Sequence, residues 1–203
     1  MHDESREGAG PLRRLILASA SPRRRQLLAE AGFDFDIHPA DIDEERYPPG
    51  LSPGELAQWL AAQKAAVVAE RFPYAIVLAA DTVVALGKQL LGKPLDEQHA
   101  RQMLQTLSGT THEVTTGVAV VCRATHFARE DRVLSTVQMR KMSPIEIDDY
   151  VATRQWEGKA GGYGIQDKDP FVTRISGDLT NIVGLPMERT VQLLAEAGVR
   201  PQK

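Results

Sequence analysis

Basic and acidic side chains of types suited to phosphate chemistry stand near the ends of several predicted elements. The basic set lies at turns or helix edges and comprises Arg23, Arg24, Lys64, Lys93 and Lys159. The acidic set comprises Asp81 together with Glu44 or Asp43. Cations can bind a polyphosphate, and carboxylates can hold a hard divalent ion. Residues of these two types, brought together, would suit the hydrolysis of a phosphoanhydride bond.

The segment 15–25, LILASASPRRR, predicts a strand that leads directly into a helix. Its Ser-Pro pair suits the N-cap and the first helical position. Three arginines then fill the first turn, where the helix dipole makes each cation cost about 0.3–1 kcal/mol. Two other helix starts, at 52–55 and 143–146, place Glu where this one has Arg24, and so complete a capping box. These features favour an anion site at the helix start. The alternative is a simple Ser-Pro cap with solvated arginines.

Asp81 follows the most continuous apolar run, at 75–80, which predicts a central strand covered on both faces. A carboxylate at the end of such a strand is costly unless it is paired, hydrogen-bonded or bound to a metal. Ligand sites of α/β proteins often lie at strand ends. A functional role for Asp81 is therefore favoured over a turn cap.

Lys64 lies at the border of the apolar face of the predicted helix 53–71. Most lysines in such a position extend to water, and some reach into a pocket beside the core.

A glycine-rich segment, EGKAGGYGIQD at 157–167, fits neither of two common phosphate-binding patterns. Thr153 and Ala160 break the Walker A pattern, and Asp167 replaces the last glycine of the dinucleotide fingerprint. Its four glycines still allow the backbone to approach a ligand closely. The alternative is a plain flexible loop.

The composition limits the classes of partner. The chain has 203 residues and a net charge of −3, so a broad nucleic-acid or membrane-binding surface is not expected, and a basic site must be local. The single cysteine, Cys122, excludes an internal disulfide, fits a cytoplasmic location and is predicted to be an inert core thiol. No apolar run approaches the length of a membrane span. We predict a flexible lead-in at 1–12 and a single domain at 13–203.

Periodicity and turn signals predict an alternation of helices and strands, which indicates an α/β fold with a mixed sheet. The predicted helices are 22–31, 53–71, 96–107, 144–151 and 186–197. The predicted strands are a short one that begins at 15, and then 33–38, 75–80, 111–122, 127–140, 171–175 and 181–183, with a hairpin at 83–91.

Six motifs in series resemble those of the Maf family of nucleotide pyrophosphatases, also named septum-formation inhibitors. In order they are LILASASPRRR at 15–25, ADT at 80–82, LGKP at 91–94, LSGTTH at 107–112, GKAGGYGIQ at 158–166 and VGLP at 183–186. The resemblance implies an elongated, two-lobed mixed-sheet fold like that of the inosine-triphosphate pyrophosphatases, with the active-site cleft between the lobes. It also implies cleavage of a nucleoside triphosphate to the monophosphate and pyrophosphate with a divalent cation, Mg²⁺, Mn²⁺ or Co²⁺.

The resemblance implies roles for single residues as well. Asp81 matches the proton acceptor and, with Glu44, the metal-binding position. Positions tied to substrate choice correspond to Arg23, Thr82 and Gln166. Phosphate-binding positions correspond to Ser19, Arg24, Lys64 and Lys93, with Lys159 as a further candidate.

The glycine-rich motif resembles the form found in the subgroup of the family that acts on dTTP and UTP. Two residues depart from the pattern: Gly162 stands where Ala is usual, and Asp167 replaces a glycine directly after Gln166. Alternative substrates are modified pyrimidine nucleotides, 7-methyl-GTP and other modified nucleotides. A non-catalytic, nucleotide-sensing regulator of cell division is an alternative of another class. Homodimer formation is left open, and a DNA-binding role for the Ser-Pro-Arg-Arg segment is disfavoured by the net charge.

Overall fold

The computed structural model describes residues 14–167 and 171–202, and within them the chain forms a seven-stranded mixed sheet with six α-helices. The strands are β1 (Leu15–Leu17), β2 (Asp36–Ile37), β3 (Ile76–Leu86), β4 (Gln89–Leu91), β5 (Thr111–Cys122), β6 (Phe127–Met139) and β7 (Val172–Ser176). The helices are α1 (Pro22–Glu30), α2 (Pro53–Arg71), α3 (Glu97–Leu107), α4 (Pro144–Ala152), α5 (Leu179–Val183) and α6 (Met187–Glu196). The predicted lead-in at 1–12 lies outside the described residues. No helix in the described part is long and apolar enough to cross a membrane.

The sheet has the order β2–β1–β3–β5–β6–β7, and β4 pairs separately with β3. β1 runs parallel to β2 and β3, whereas the other pairs are antiparallel. One edge of β3 pairs with β5 over residues 77–85. The opposite edge pairs with β1 at 76–78 and with β4 at 84–86. Residues 79–83 of β3 therefore have no strand beside them on that edge within the described chain, which leaves a gap in the sheet.

Helices cover both faces of the sheet beside this gap. Along β3, Ile76 and Leu78 pack with apolar side chains of α1 and α6, whereas Val77 and Ala79 pack against the alanine-rich face of α2. All four side chains are fully buried. The prediction of a central strand covered on both faces is confirmed. At the far end of the sheet, α3 and α4 pack with the ends of β3, β5 and β6 in a separate cluster.

The three Ser-Pro helix starts have the predicted caps. Ser52 and Ser143 each form a capping box with a glutamate three residues later. At the start of α1, Ser21 accepts a hydrogen bond from the backbone N–H of Arg24, and the first turn has no acidic residue. The side chain of Arg24 is thus free of the cap and available for other contacts.

Three local predictions need correction. The predicted strand 181–183 is part of helix α5, which begins at the Asp178 cap and ends at Gly184 in the left-handed region. The predicted strand 33–38 shortens to β2, because Phe33 is buried in the core and only two residues pair with the short β1. Asp81 does not end its strand but lies inside β3.

Candidate active site

A cleft of about 450 Å³ opens at the gap in the sheet. The β1–α1 turn forms one wall, and the chain after β4 together with the glycine-rich segment 157–167 forms another. All ten residues that the family resemblance singles out line this cleft: Ser19, Arg23, Arg24, Glu44, Lys64, Asp81, Thr82, Lys93, Lys159 and Gln166. Asp43, the alternative to Glu44, is not part of the lining and accepts a hydrogen bond from the Glu45 amide.

Lys64 joins the two carboxylates at the centre of the cleft. Its Nζ lies 2.6 Å from Asp81 Oδ1 and 2.6 Å from Glu44 Oε1. Lys64 is 7% exposed and Asp81 6% exposed, so this ion pair is buried. Lys64 therefore reaches inward from the border of the apolar face of α2. Its charge makes the burial of Asp81 in the middle of a strand tolerable.

Glu44 forms a second ion pair at the mouth of the cleft, where Lys93 Nζ lies 3.0 Å from its Oε2. Burial alone would raise the pKa of Glu44, but hydrogen bonds and charge from Lys64 and Lys93 lower it to about 2. The Glu44 side chain is therefore ionised at neutral pH.

Arg24 holds together three parts of the cleft. Its guanidinium donates to the Gly184 carbonyl at 2.7 Å, to Ser19 Oγ at 3.2 Å and to Thr82 Oγ1 at 3.1 Å. These three bonds use three of the five N–H donors of an arginine, so the group retains donors for an anion. The arginine in the first turn of α1 is thus a structural junction as well as a candidate phosphate ligand.

The Arg24 network continues into the sheet through residues that sequence reasoning missed. Thr82 Oγ1 lies 2.9 Å from Thr116 Oγ1, and the Thr116 amide donates to the side chain of Asn181 at 3.1 Å. The Asn181 amide group donates to the Val114 carbonyl and to Ser135 Oγ. Asn181 lies two residues before the VGLP motif, but one sequence shows no partner for it.

The glycine-rich segment closes toward the arginine turn, since Arg23 donates to the Gly158 carbonyl at 3.1 Å. Burial lowers the pKa of Arg23, and the charge of Asp167 opposes that shift. Lys159 Nζ lies 2.5 Å from Asp167 Oδ1. The segment is thus tied at both ends and is not a plain flexible loop.

His112 and Tyr163 form a buried polar pair behind the cleft, with His112 Nε2 2.6 Å from the Tyr163 hydroxyl. Burial lowers the pKa of His112 to about 4, so the ring is neutral at physiological pH. Its Nδ1 is buried and has no hydrogen-bond partner among the described residues. His112 lies in β5, and Tyr163 lines the cleft.

The carboxylates of the cleft fit a hard divalent ion only in part. Asp81 and Glu44 contact the same ammonium nitrogen, so their oxygens lie close together. In the part of the chain that the structure describes, no group of three or more His, Cys, Asp and Glu side chains is arranged to hold a metal. Mg²⁺ in proteins is usually bound by one or two carboxylates, with substrate phosphates and water completing the shell. The donor set fits such a shared site.

Comparison with known proteins gives a consistent result. The family model described as Maf-like protein matches residues 14–197. The dTTP/UTP pyrophosphatase of Cereibacter sphaeroides is 51% identical over 187 residues, which cover 91% of this chain and 95% of that protein. The dTTP/UTP pyrophosphatase of Bacillus pumilus is 44% identical over 194 residues, with 94% and 100% covered. Among solved structures, that of the Staphylococcus aureus Ham1 protein matches with a TM-score of 0.41 and 12% identity, covering 63% of this chain and 72% of that one.

Proposed function

Because the chain belongs to the Maf-like protein family, we propose that it hydrolyses a nucleoside triphosphate, dTTP or UTP, to the monophosphate and pyrophosphate. The observation that carries this proposal is the buried contact of Lys64 with Asp81 and Glu44 inside a cleft rich in cations. A site that only binds a nucleotide has no need of a carboxylate buried in the middle of a strand. A site that activates water needs one.

Asp81 is the proposed general base. Lys64 occupies its Oδ1, and Oδ2 has no hydrogen-bond partner among the described residues. Oδ2 can therefore accept a proton from water as the water attacks the α-phosphorus. The bond from the α-phosphorus to the bridging oxygen breaks, and pyrophosphate leaves. Holding Asp81 on a strand and against Lys64 fixes the direction of this oxygen before substrate arrives.

The cations of the cleft would neutralise the triphosphate. Arg23, Arg24 and the Ser19 hydroxyl belong to the wall formed by the β1–α1 turn, and Lys93 belongs to the other wall. Charge that develops on the leaving pyrophosphate would be stabilised by these fixed donors.

Asp81 and Glu44 are the residues that would hold a divalent cation, Mg²⁺, Mn²⁺ or Co²⁺. Such an ion would supply Lewis-acid stabilisation of the phosphate oxygens when bound. Lys64 would then keep the two carboxylates close together without filling both oxygens of either one.

Base recognition would fall to the residues at the outer part of the cleft. Gln166 is exposed and lines the cleft together with Arg23. Thr82 is already engaged by Arg24 and Thr116, so its contribution would be to position Arg24. We further propose a single domain from 13 to 203 that acts in the cytoplasm, where the free, buried Cys122 would stay reduced.

The decisive experiment measures pyrophosphate release from dTTP, UTP, CTP and 7-methyl-GTP with each of the three metals. We expect dTTP and UTP to be preferred, and we expect Asp81→Asn to lower kcat by about 10²–10⁴-fold because the general base is lost. Asp34→Asn, at an exposed carboxylate, is the matched control. Absence of pyrophosphate release from every triphosphate would overturn the proposal in favour of a nucleotide sensor. Full turnover by the folded Asp81→Asn protein would overturn the role of Asp81 as the general base.

A further inference from the structure

Asp167 is one of the two residues that depart from the family pattern. Its side chain makes three hydrogen bonds that close the glycine-rich segment. Its Oδ1 accepts from Lys159 Nζ at 2.5 Å. Its Oδ2 accepts from the Tyr150 hydroxyl at 2.7 Å and from the Gly164 amide at 2.9 Å. The Lys159 and Asp167 side chains are only 13% and 11% exposed, so this pair is shielded from solvent. Asp167 therefore joins the segment to itself and to helix α4.

The contacts of Asp167 define a four-residue turn that contains Gln166. The Asp167 amide donates to the Gly164 carbonyl at 3.2 Å, while the Asp167 carboxylate accepts from the Gly164 amide. Gln166 is the third residue of this turn and is exposed in the cleft. Its side chain makes no hydrogen bond to any described residue. The turn that Asp167 closes thus holds the backbone from which the Gln166 side chain extends.

Gly164 is matched to the Asp167–Lys159 pair. A Cβ atom at position 164 would lie 2.7 Å from Asp167 Oδ1 and 2.7 Å from Lys159 Nζ. Both atoms are the ends of flexible side chains, so an added methyl group would separate the ion pair and leave the backbone in place. Glycine at position 164 therefore leaves room for the pair in its observed geometry.

Tyr150 anchors the turn to the core. It is buried, and its ring packs edge-on against Phe171 at 4.9 Å between centroids. Burial and the neighbouring Asp167 raise the pKa of Tyr150, so its hydroxyl remains a donor at physiological pH. The carboxylate is therefore held by a rigid partner as well as by Lys159.

We propose that Asp167 is a positioning residue that fixes Gln166 toward the base of the bound nucleotide, with Lys159 as its counter-ion and not as a phosphate ligand. This inference rests on the proposed function for its substrate. Residues 164 and 167 then act as a coupled pair, and together they determine how well this chain selects the base of its substrate. A contact with the base holds the substrate equally before and during reaction at the phosphorus, so we expect its loss to fall on KM and selectivity more than on kcat.

The first test compares Asp167→Asn and Asp167→Gly with wild type, and uses Asp149→Asn, an exposed carboxylate on α4, as the control. We expect both variants to raise KM for dTTP and UTP about tenfold and to change kcat less than twofold, because hydrogen bonds to a charged group are lost. Discrimination against CTP should fall by a similar factor. Unchanged KM and selectivity, or a loss confined to kcat, would overturn the proposal.

The second test uses the predicted coupling. Gly164→Ala should raise KM about tenfold in the wild-type background, because it separates the ion pair, and less than twofold in the Asp167→Gly background. Lys159→Met should behave in the same way. Equal effects in both backgrounds would refute the coupling, and a further tenfold loss from Lys159→Met in the Asp167→Gly protein would make Lys159 a phosphate ligand.

Hydrogen exchange of the peptide 158–167, measured without nucleotide, separates the two proposals. We expect the amides of this peptide to exchange faster in Asp167→Asn, Asp167→Gly and Gly164→Ala, and at the wild-type rate in Asp149→Asn. Faster exchange in a protein that cleaves none of the triphosphates would support the positioning of the turn while refuting the proposed function. Unchanged exchange in all three variants would overturn the inference even if dTTP is cleaved.

Discussion

Lys64→Met tests whether the charge of Lys64 offsets the free-energy cost of burying the Asp81 carboxylate. Methionine keeps much of the length and apolar character of the lysine stem while removing the charge. The lysine nitrogen lies 2.6 Å from Asp81 Oδ1, and both residues are buried. Breaking a buried pair leaves an uncompensated charge, which costs about 3–5 kcal/mol. The contact with Glu44, whose side chain is 41% exposed, adds only about 1 kcal/mol because solvent screens it.

Urea unfolding at pH 7 measures this loss, with an unchanged m value showing that the variant still unfolds in one step. The exposed Lys88→Met is the matched control and should stay within about 0.5 kcal/mol of wild type. Adding Asp81→Asn to Lys64→Met removes the stranded carboxylate and should restore about 1–2 kcal/mol. A loss below about 1 kcal/mol in Lys64→Met, or further destabilisation by Asp81→Asn, would refute the reasoning.

Three further perturbations probe the frame of the cleft. The pKa of Glu44 is lowered from 4.5 to about 2, so its stabilising contribution is complete above pH 4.5 and is lost as the pH falls toward 2. Unfolding of wild type and Glu44→Gln should therefore differ at pH 7 and converge near pH 2; a constant difference would contradict this. Gly117→Ala would place a methyl group against the backbone of α2 at Ala57 and Gln58. We expect it to lower the free energy of unfolding by about 1–3 kcal/mol. It should also lower kcat for pyrophosphate release, because a shift of α2 displaces Lys64. Asn181→Ala should cost about 2–4 kcal/mol in unfolding free energy, because it leaves several buried polar groups without partners; a loss under about 0.5 kcal/mol would mean that the network is not needed.

Features encoded by neighbouring residues could be predicted from the sequence. The Ser-Pro caps, the helical stripe of α2 and the central strand β3 all follow from residues within a few positions of one another. The basic turn at Arg24 stood out because two similar helix starts carry a capping glutamate and this one does not. The placement of all ten site residues in one cleft was implied by the family resemblance and not by spacing.

Features that depend on distant partners could not be predicted. Asp81 was placed at a strand end because the apolar run 75–80 stops before it, but the strand continues through Asp81, whose charge is compensated by Lys64 on another element. The strand predicted at 181–183 is a helix because a short apolar run fits either structure, and the caps at Asp178 and Gly184 decide between them. The partners of Asn181 lie on β5 and β6, so its role needs the folded sheet.

The gap beside residues 79–83 of β3 has a mechanical consequence. β1 and β4 hold the same edge of β3 on either side of the gap, and no ladder hydrogen bond joins them across it within the described residues. A bend of the long strands β3, β5 and β6 at this point would move the arginine turn relative to the glycine-rich segment without breaking strand pairing. The contacts that such a hinge must open are the side-chain bonds that cross the cleft, from Arg23 to Gly158 and from Lys93 to Glu44. These two bonds are accessible to solvent and partly ionic, so the stiffness that they add to that of the paired strands and the Arg24 network should fall as salt is added.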